Sequence, residues 1–273
     1  MKPFSLPPLK RFGQNFLLDP NIKRKIFSAA GLTPQDTVLE IGPGYGSLTF
    51  DMAKACGRLV ALEIDKGLCA RLSEQTKEFS HLTLICQDIL AFDLEGYFQR
   101  EGIKKAKVVS NLPYYITTPI LEYLFKRLRL LDDIFLTLQK EVAQRMISLA
   151  GQKDYGSLSC FVRYHCEPQI LFKIPAGCFR PKPKVESVFM RLKPRQDAAR
   201  YWNCLSEDLL FSVVRSAFGQ RRKKLRSCLS LILSKGSPVF QEFPGLFERR
   251  PEEISLEEFI ALSNGIARLS LGA

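Results

Sequence analysis

Apolar residues along this chain come in two spacings, and the mixture changes once. Between residues 37 and 192, short apolar runs of strand length alternate with stretches whose apolar positions recur every three or four residues. Thr37–Ile41, Arg58–Ile64, Leu82–Cys86, Lys107–Ser110 and Ile134–Leu138 read as strands. Ser47–Cys56 and Lys66–Thr76 read as helices between them, and further helices follow the fourth and fifth strands. This alternation implies a mostly parallel sheet covered on both faces. Tyr155–His165 is helical in pattern, and Gln169–Ile174 and Val185–Leu192 add two strands too close for a long crossover, hence an antiparallel finish to seven strands. After Pro194 only helical spacing remains, in Leu205–Phe218, Lys224–Leu233 and Ser255–Ile266. The expected division is an α/β domain over 1–199, with a proline-rich N-terminal arm, and a small all-helical domain over 200–273. Ahead of the sheet, Ile22–Ala30 is a basic helical stretch with Asp19 placed to cap it and Pro20 at its first position.

Two breaks in the pattern carry candidate chemistry. Asn111-Leu112-Pro113-Tyr114-Tyr115 follows a buried strand and precedes a helix with Pro119 in its first turn. It would put an amide, a rigid bend and an aromatic face at the carboxyl edge of a sheet, where ligands of open α/β sheets bind. Taken alone, the same residues are equally those of an ordinary turn. The other break is Glu40-Ile41-Gly42-Pro43-Gly44-Tyr45-Gly46-Ser47, a strand running into a glycine-rich turn and then a helix. Such a turn lets backbone approach a ligand and offers the free N–H groups of a helix start. Glu63 ends the next strand, 21 positions after Gly42, where a carboxylate reaches ribose hydroxyls. Asp88 follows the third strand, where an adenine amino group could be gripped. The glycines are GxGxG and not GxGxxG, and no His or Lys is set for hydride chemistry. The pattern therefore favours S-adenosylmethionine over a dinucleotide.

Charge narrows the partner. Forty Lys and Arg against 28 Asp and Glu leave +12, a lean towards polyanions. The excess is local: residues 1–25 hold six basic residues and one acid, and residues 173–195 hold seven and one. None of the eight cysteines forms Cys-x-x-Cys and there are two histidines, so no metal site is expected, the Cys160, His165, Cys166 cluster included. No stretch reads as a signal peptide or as the ~18 apolar residues that would span a bilayer. A reduced, cytoplasmic protein is expected, with cysteines acting as small hydrophobes.

Taken in order, Gly13-Gln14-Asn15-Phe16-Leu17, the Glu40–Gly46 loop, Glu63-Ile64-Asp65, Asp88, Asn111–Tyr115 and Phe179-Arg180-Pro181-Lys182-Pro183-Lys184-Val185-Glu186-Ser187 resemble the KsgA family of ribosomal RNA adenine dimethyltransferases. Ala217-Phe218 followed by Arg221-Arg222-Lys223-Lys224-Leu225 extends the likeness towards the C-terminus. The resemblance implies a Rossmann-like methyltransferase sheet and S-adenosyl-L-methionine as cofactor. It implies dimethylation of N6 on two adjacent adenosines in a hairpin loop near the 3′ end of 16S rRNA, within the small ribosomal subunit or its precursor.

Carried over by position, Asn15 and Leu17 flank the cofactor, Gly42 and Gly44 lie under it, Glu63 holds its ribose and Asp88 meets its adenine. Asn111, with Leu112 and Pro113, sits where cofactor and target base meet. Tyr114 would stack on the base and Phe179 would cover its other face, although one Phe among 20 is also a natural core residue. Arg180, Lys182, Lys184, Arg221, Arg222 and Lys223 are candidate RNA contacts. A monomer is expected, without membrane or metal. The open alternatives are a large-subunit rRNA adenine methyltransferase of the macrolide-resistance type, a DNA adenine methyltransferase, and a non-catalytic RNA-binding assembly factor.

Overall fold

The computed structural model describes residues 15–113, 116–220, 222–234 and 236–271. The N-terminal arm with Gly13 and Gln14, and also Tyr114, Tyr115 and Arg221, lie outside the described residues.

In chain order the first part contains β1 (Phe16–Leu17), α1 (Pro20–Ala30), β2 (Thr37–Ile41), α2 (Thr49–Ala53), β3 (Arg58–Glu63), α3 (Lys66–Thr76), β4 (Leu82–Cys86), α4 (Leu94–Arg100), β5 (Ala106–Asn111), α5 (Thr117–Phe125), β6 (Leu131–Gln139) and α6 (Lys140–Ile147). There follow α7 (Ser157–His165), β7 (Cys166–Ile174), β8 (Phe179–Arg180) and β9 (Ser187–Pro194), then α8 (Ala198–Trp202), α9 (Glu207–Gly219), α10 (Leu225–Cys228), α11 (Val239–Glu242) and α12 (Leu256–Leu271). Local chemistry starts the helices where the sequence indicated. Asp19 accepts from the N–H groups of Asn21 and Ile22 at 2.8 and 3.0 Å, and Asp65 caps α3 through Gly67 and Leu68.

Seven strands form one sheet in the order β4-β3-β2-β5-β6-β9-β7. β4, β3, β2, β5 and β6 are parallel, and β6 pairs antiparallel with β9. The mostly parallel sheet with an antiparallel finish is as expected. Its middle strands are apolar without alternation: Val38, Leu39, Leu59, Val60, Val108, Val109 and Ile134 have no exposed surface, because helices cover both faces. The order runs outward in both directions from β2 and β5, so the switch in topology falls between them. Their carboxyl ends open there into a crevice.

Three features were not expected. A second, two-stranded sheet pairs β1 with β8, setting Phe16 opposite Arg180 and Leu17 opposite Phe179. Residues about 160 positions apart leave no local trace of such pairing. Cys69, in the first turn of α3, forms a disulfide with Cys86 at the end of β4, while the other six cysteines are free, which corrects the expectation of a fully reduced chain. No spacing motif marks the pair, because the two cysteines meet only once α3 has packed back beside β4.

The third concerns the division of the chain. Compact units form over residues 1–143 with 169–194, and over 144–168 with 195–273. The expected boundary at 199/200 left α7 in the first domain, whereas its Cys160 and Tyr164 belong to the same apolar cluster as Leu210, Val214 and Phe259 of the helical unit. α10 is also shorter than the apolar stretch Lys224–Leu233 suggested, ending at Cys228.

Candidate functional site

At the switch point four strand ends each deliver one residue to a single cleft: Gly42 after β2, Glu63 at the end of β3, Asp88 after β4 and Asn111 at the end of β5. The cleft encloses about 760 Å³ including its open mouth, within the range of small-molecule sites. Parallel pairing sets this convergence, since neighbouring parallel strands all end on one side of the sheet.

The glycine turn is shaped for close approach. Gly42 and Gly44 have φ of +70° and +61°, conformations that favour glycine. A Cβ on Gly44 would come within 2.7 Å of the Phe16 ring, which lines the cleft beside Asn15. Glu63 supports the turn from below. It is 2 % exposed, and its two oxygens accept from the Gly44 N–H at 3.0 Å and the Asp65 N–H at 2.9 Å. Burial pushes its carboxyl above the usual carboxylate range, and those backbone donors pull it back. Two oxygens hold about four lone pairs, so acceptor capacity remains for a pair of hydroxyls in the cleft. Asp88 takes the Leu90 N–H on Oδ1 at 2.9 Å, which fixes the carboxylate at the cleft wall between Gln87 and Ile89.

Asn111 donates from Nδ2 to the Asn15 carbonyl at 2.8 Å, an assignment that orients its amide. Leu112 (2 % exposed) and Pro113 line the cleft beside it, and the Pro113 Cδ lies 3.9 Å from where a Gly42 Cβ would be. The Pro113 carbonyl accepts from the Ile116 N–H at 3.3 Å and the Thr117 hydroxyl at 3.4 Å, closing the turn onto α5.

Behind the turn, Glu40 is 2 % exposed, and burial, with the Glu63 charge beside it, pushes its carboxyl up to about 8. The Thr49 hydroxyl lies near, yet neither Glu40 Oε2 nor Thr49 Oγ1 has a hydrogen-bond partner of sound geometry. With burial holding its carboxyl up at about 8, Glu40 is a neutral, under-satisfied acid at pH 7.

Other sequence candidates lie elsewhere. Leu17 and Phe179 are each 1 % exposed, neighbours across the β1–β8 pair, and part of the core of the first unit, not of the cleft wall. Their stiff pairing instead fixes Asn15 and Phe16, the residues that do line the cleft. Arg180, Lys182 and Lys184 are exposed on the first unit, and Arg222 and Lys223 on the second. Ile64, Ile89 and Ile116 also line the cleft and were not singled out. Their signal was present in part, since Ile64 and Ile89 directly follow strand-end acids. His165 is 5 % exposed and stacks on Phe211, a core position, and among the described residues no group of three or more His, Cys, Asp or Glu could hold a metal.

A glycine turn over a buried carboxylate, a second acid at the adjoining strand end and an oriented amide in the same cleft are the site of a methyltransferase that uses a nucleoside cofactor. The residues present fit S-adenosylmethionine: Glu63 and Asp88 would hold ribose and adenine, and the glycine turn leaves room for the chain between them.

Comparison with known proteins narrows this class. A model of the ribosomal RNA adenine dimethylase family matches residues 9–243. The small-subunit rRNA methyltransferase A of Lachnoclostridium phytofermentans is 41% identical over 263 residues, covering 93% of this chain and 90% of that protein. The protein of the same name from Xylella fastidiosa is 39% identical, covering 96% and 97%. A Plasmodium falciparum dimethyladenosine transferase superposes with a TM-score of 0.78 at 22% identity, covering 93% of this chain and 98% of that one. The 23S rRNA methyltransferase ErmE does so at 0.66 and 22%, covering 92% and 99%. Both structural likenesses show the fold. The chain belongs to the ribosomal RNA adenine dimethylase family.

Proposed function

We propose that the cleft transfers methyl groups from S-adenosylmethionine to N6 of two adjacent adenosines in a hairpin loop near the 3′ end of small-subunit rRNA. The observation that carries this reading is the meeting of Glu63, Asp88 and Asn111 at one switch-point cleft. The choice of the small subunit follows the relatives about 40% identical, which are named for it. Likeness to ErmE at 22% identity speaks for fold and not for a large-subunit target.

The cofactor supplies an already activated methyl, so the protein needs no nucleophile of its own. An exocyclic adenine amine is a weak nucleophile because its lone pair is delocalised into the ring. With Nδ2 committed to Asn15, the Asn111 amide turns Oδ1 as the atom able to accept from that amine. The Leu112 carbonyl is the second acceptor. Two acceptors draw the nitrogen towards a tetrahedral shape and localise its lone pair, while holding it in line for transfer. Neither residue serves as a strong base. Tyr114 is proposed as the stacking face for the extruded base, a contact of about 1–3 kcal/mol. A loop adenosine is inexpensive to expose.

Arg180, opposite Phe16 in the β1–β8 pair, is the basic residue best placed to meet RNA at the cleft. Lys182, Lys184, Arg221, Arg222 and Lys223 are assigned to phosphates on their respective units. A monomer acting in the cytoplasm on the small subunit or its precursor completes the reading. The rRNA target in that reading is supported by the family match.

The test is transfer of labelled methyl to under-methylated small subunits, compared with naked rRNA and DNA. Two mapped N6,N6-dimethyladenosines in the small-subunit RNA are expected. Label that goes instead to large-subunit RNA or DNA overturns the assignment.

A further inference from the structure

The two walls of the cleft are the carboxyl ends of β2 and β5, and their separation decides how far the methyl donor stands from the acceptor amine. Backbone pairing does not set that separation. The ladder between β2 and β5 covers Val38 with Lys107 and Leu39 with Val108. On the outer sides pairing continues to the strand ends, through Ile41 with Leu62 and Asn111 with Thr137. Past Leu39 the backbone pairing of these two strands does not continue to their carboxyl ends, which flank the crevice of the topological switch.

One side chain bridges the gap. Ser110 has no exposed surface, and its Oγ accepts from the Ile41 N–H at 2.8 Å. Ile41 is the residue before Gly42, and Ser110 is the residue before Asn111. A direct rung would hold the strands near the usual ~4.8 Å. A side-chain hydroxyl in place of that rung satisfies the buried donor, which would otherwise be left without a partner, and makes the hydroxyl the spacer between the two strand ends. On the other side Gly42 is tied by its own N–H to the Leu62 carbonyl at 2.8 Å, so the glycine turn is held from both flanks.

Resting on the methyl-transfer reading above, we infer that Ser110 is a positioning residue whose hydroxyl sets the distance between the glycine turn and the Asn111 turn. It is buried behind the cleft and is not part of its wall. Its effect falls on alignment, and therefore on turnover more than on cofactor affinity, since Glu63 and Asp88 lie on the far side of the glycine turn.

Ser110→Ala, Ser110→Thr and Ser110→Val are compared with wild type for kcat and KM on under-methylated subunits, for Kd of S-adenosylhomocysteine, and for fold by circular dichroism. Thr and Val are nearly equal in shape and differ by the hydroxyl. The expected result is a fall in kcat of about tenfold or more in the Ala and Val variants, with Kd within about threefold of wild type. Thr recovers most of the lost kcat. If the larger side chains do not fold, the Ala variant decides. Wild-type kcat in Ser110→Ala, or equal recovery by Val and Thr, overturns the inference. Lost kcat with Kd weakened in proportion does so too. An inactive wild type would instead overturn the activity itself, a separate outcome.

Discussion

The two compact units bury polar groups in opposite ways. In the first, buried or half-buried Glu63, Asp88 and Asn111 sit at strand ends, with part of their hydrogen-bonding capacity taken by backbone and part turned to a cleft. In the second, Tyr155 and His165 sit inside an aromatic core. Tyr155 donates to the Ile254 carbonyl at 2.8 Å and contacts Cys160 at 3.1 Å, and burial keeps both neutral, the Cys160 thiol pushed up to about 12. His165, packed against Phe161, Tyr164 and Phe211, is pushed down to about 4 by burial. Its 3.6 Å approach to Glu207 is thus a contact of a neutral ring with a carboxyl at pH 7, not an ion pair. A buried polar group with capacity left over and an opening in front of it is a ligand site. One enclosed by rings is part of a core.

Substitutions can break that contrast. The largest effect is expected for Asn111→Ala, a fall in kcat of about 10²–10³-fold. S-adenosylhomocysteine binding and melting temperature should stay near wild type; single-turnover methylation and calorimetry check both. A variant that loses stability but keeps turnover would make Asn111 a core residue after all.

On the second unit the corresponding probe is pH. Unfolded imidazole takes a proton below about 6.5 and the folded one only below about 4. The stability that neutral His165 contributes is complete above pH 6.5 and is lost as pH falls through 4, by at most about 3 kcal/mol. Denaturant titrations of wild type and His165→Phe across pH 4–7 should differ in slope there, with cofactor affinity at pH 7 unchanged.

Glu63→Gln removes a charge that would receive ribose hydroxyls. Cofactor affinity should fall by about tenfold or more, the value of a hydrogen bond to a charged group, read by titration calorimetry. Tyr155→Phe deletes the enclosed hydroxyl that bonds both the Ile254 carbonyl and the Cys160 thiol, and should cost about 1–3 kcal/mol of stability with kcat unaltered. Smallest of all, Lys182→Ala should lower the slope of log affinity for rRNA against log salt by about one, without changing kcat at saturating RNA.

Much of the first unit was visible in the sequence for a physical reason. β2, α3 and β4 occupy the residues their pattern marked: β2, buried on both faces, is a continuous apolar run, and the capped α3 announces its start. Glycines before a helix and acids at strand ends likewise advertised the cleft. Phe179 shows the limit. An aromatic residue beside a basic loop reads as a base-stacking face, yet its ring belongs to the core. Residue type carries no information about which side of a two-residue strand faces outward.

By itself, then, the sequence determined the alternation of strands and helices, the cofactor turn with its acids, and the ordered motifs that place the chain in its family. These are local or pattern properties, set by side-chain chemistry at fixed spacing. The tertiary structure alone decided what depends on distant segments meeting. It joined α7 to the C-terminal helices, drew Cys69 to Cys86, and paired β1 with β8 so that Asn15 could orient Asn111. It also placed Ser110 across the gap from Ile41, 69 positions away. Such contacts follow from how the whole sheet closes its hydrogen bonds, and no stretch of chain carries that information alone.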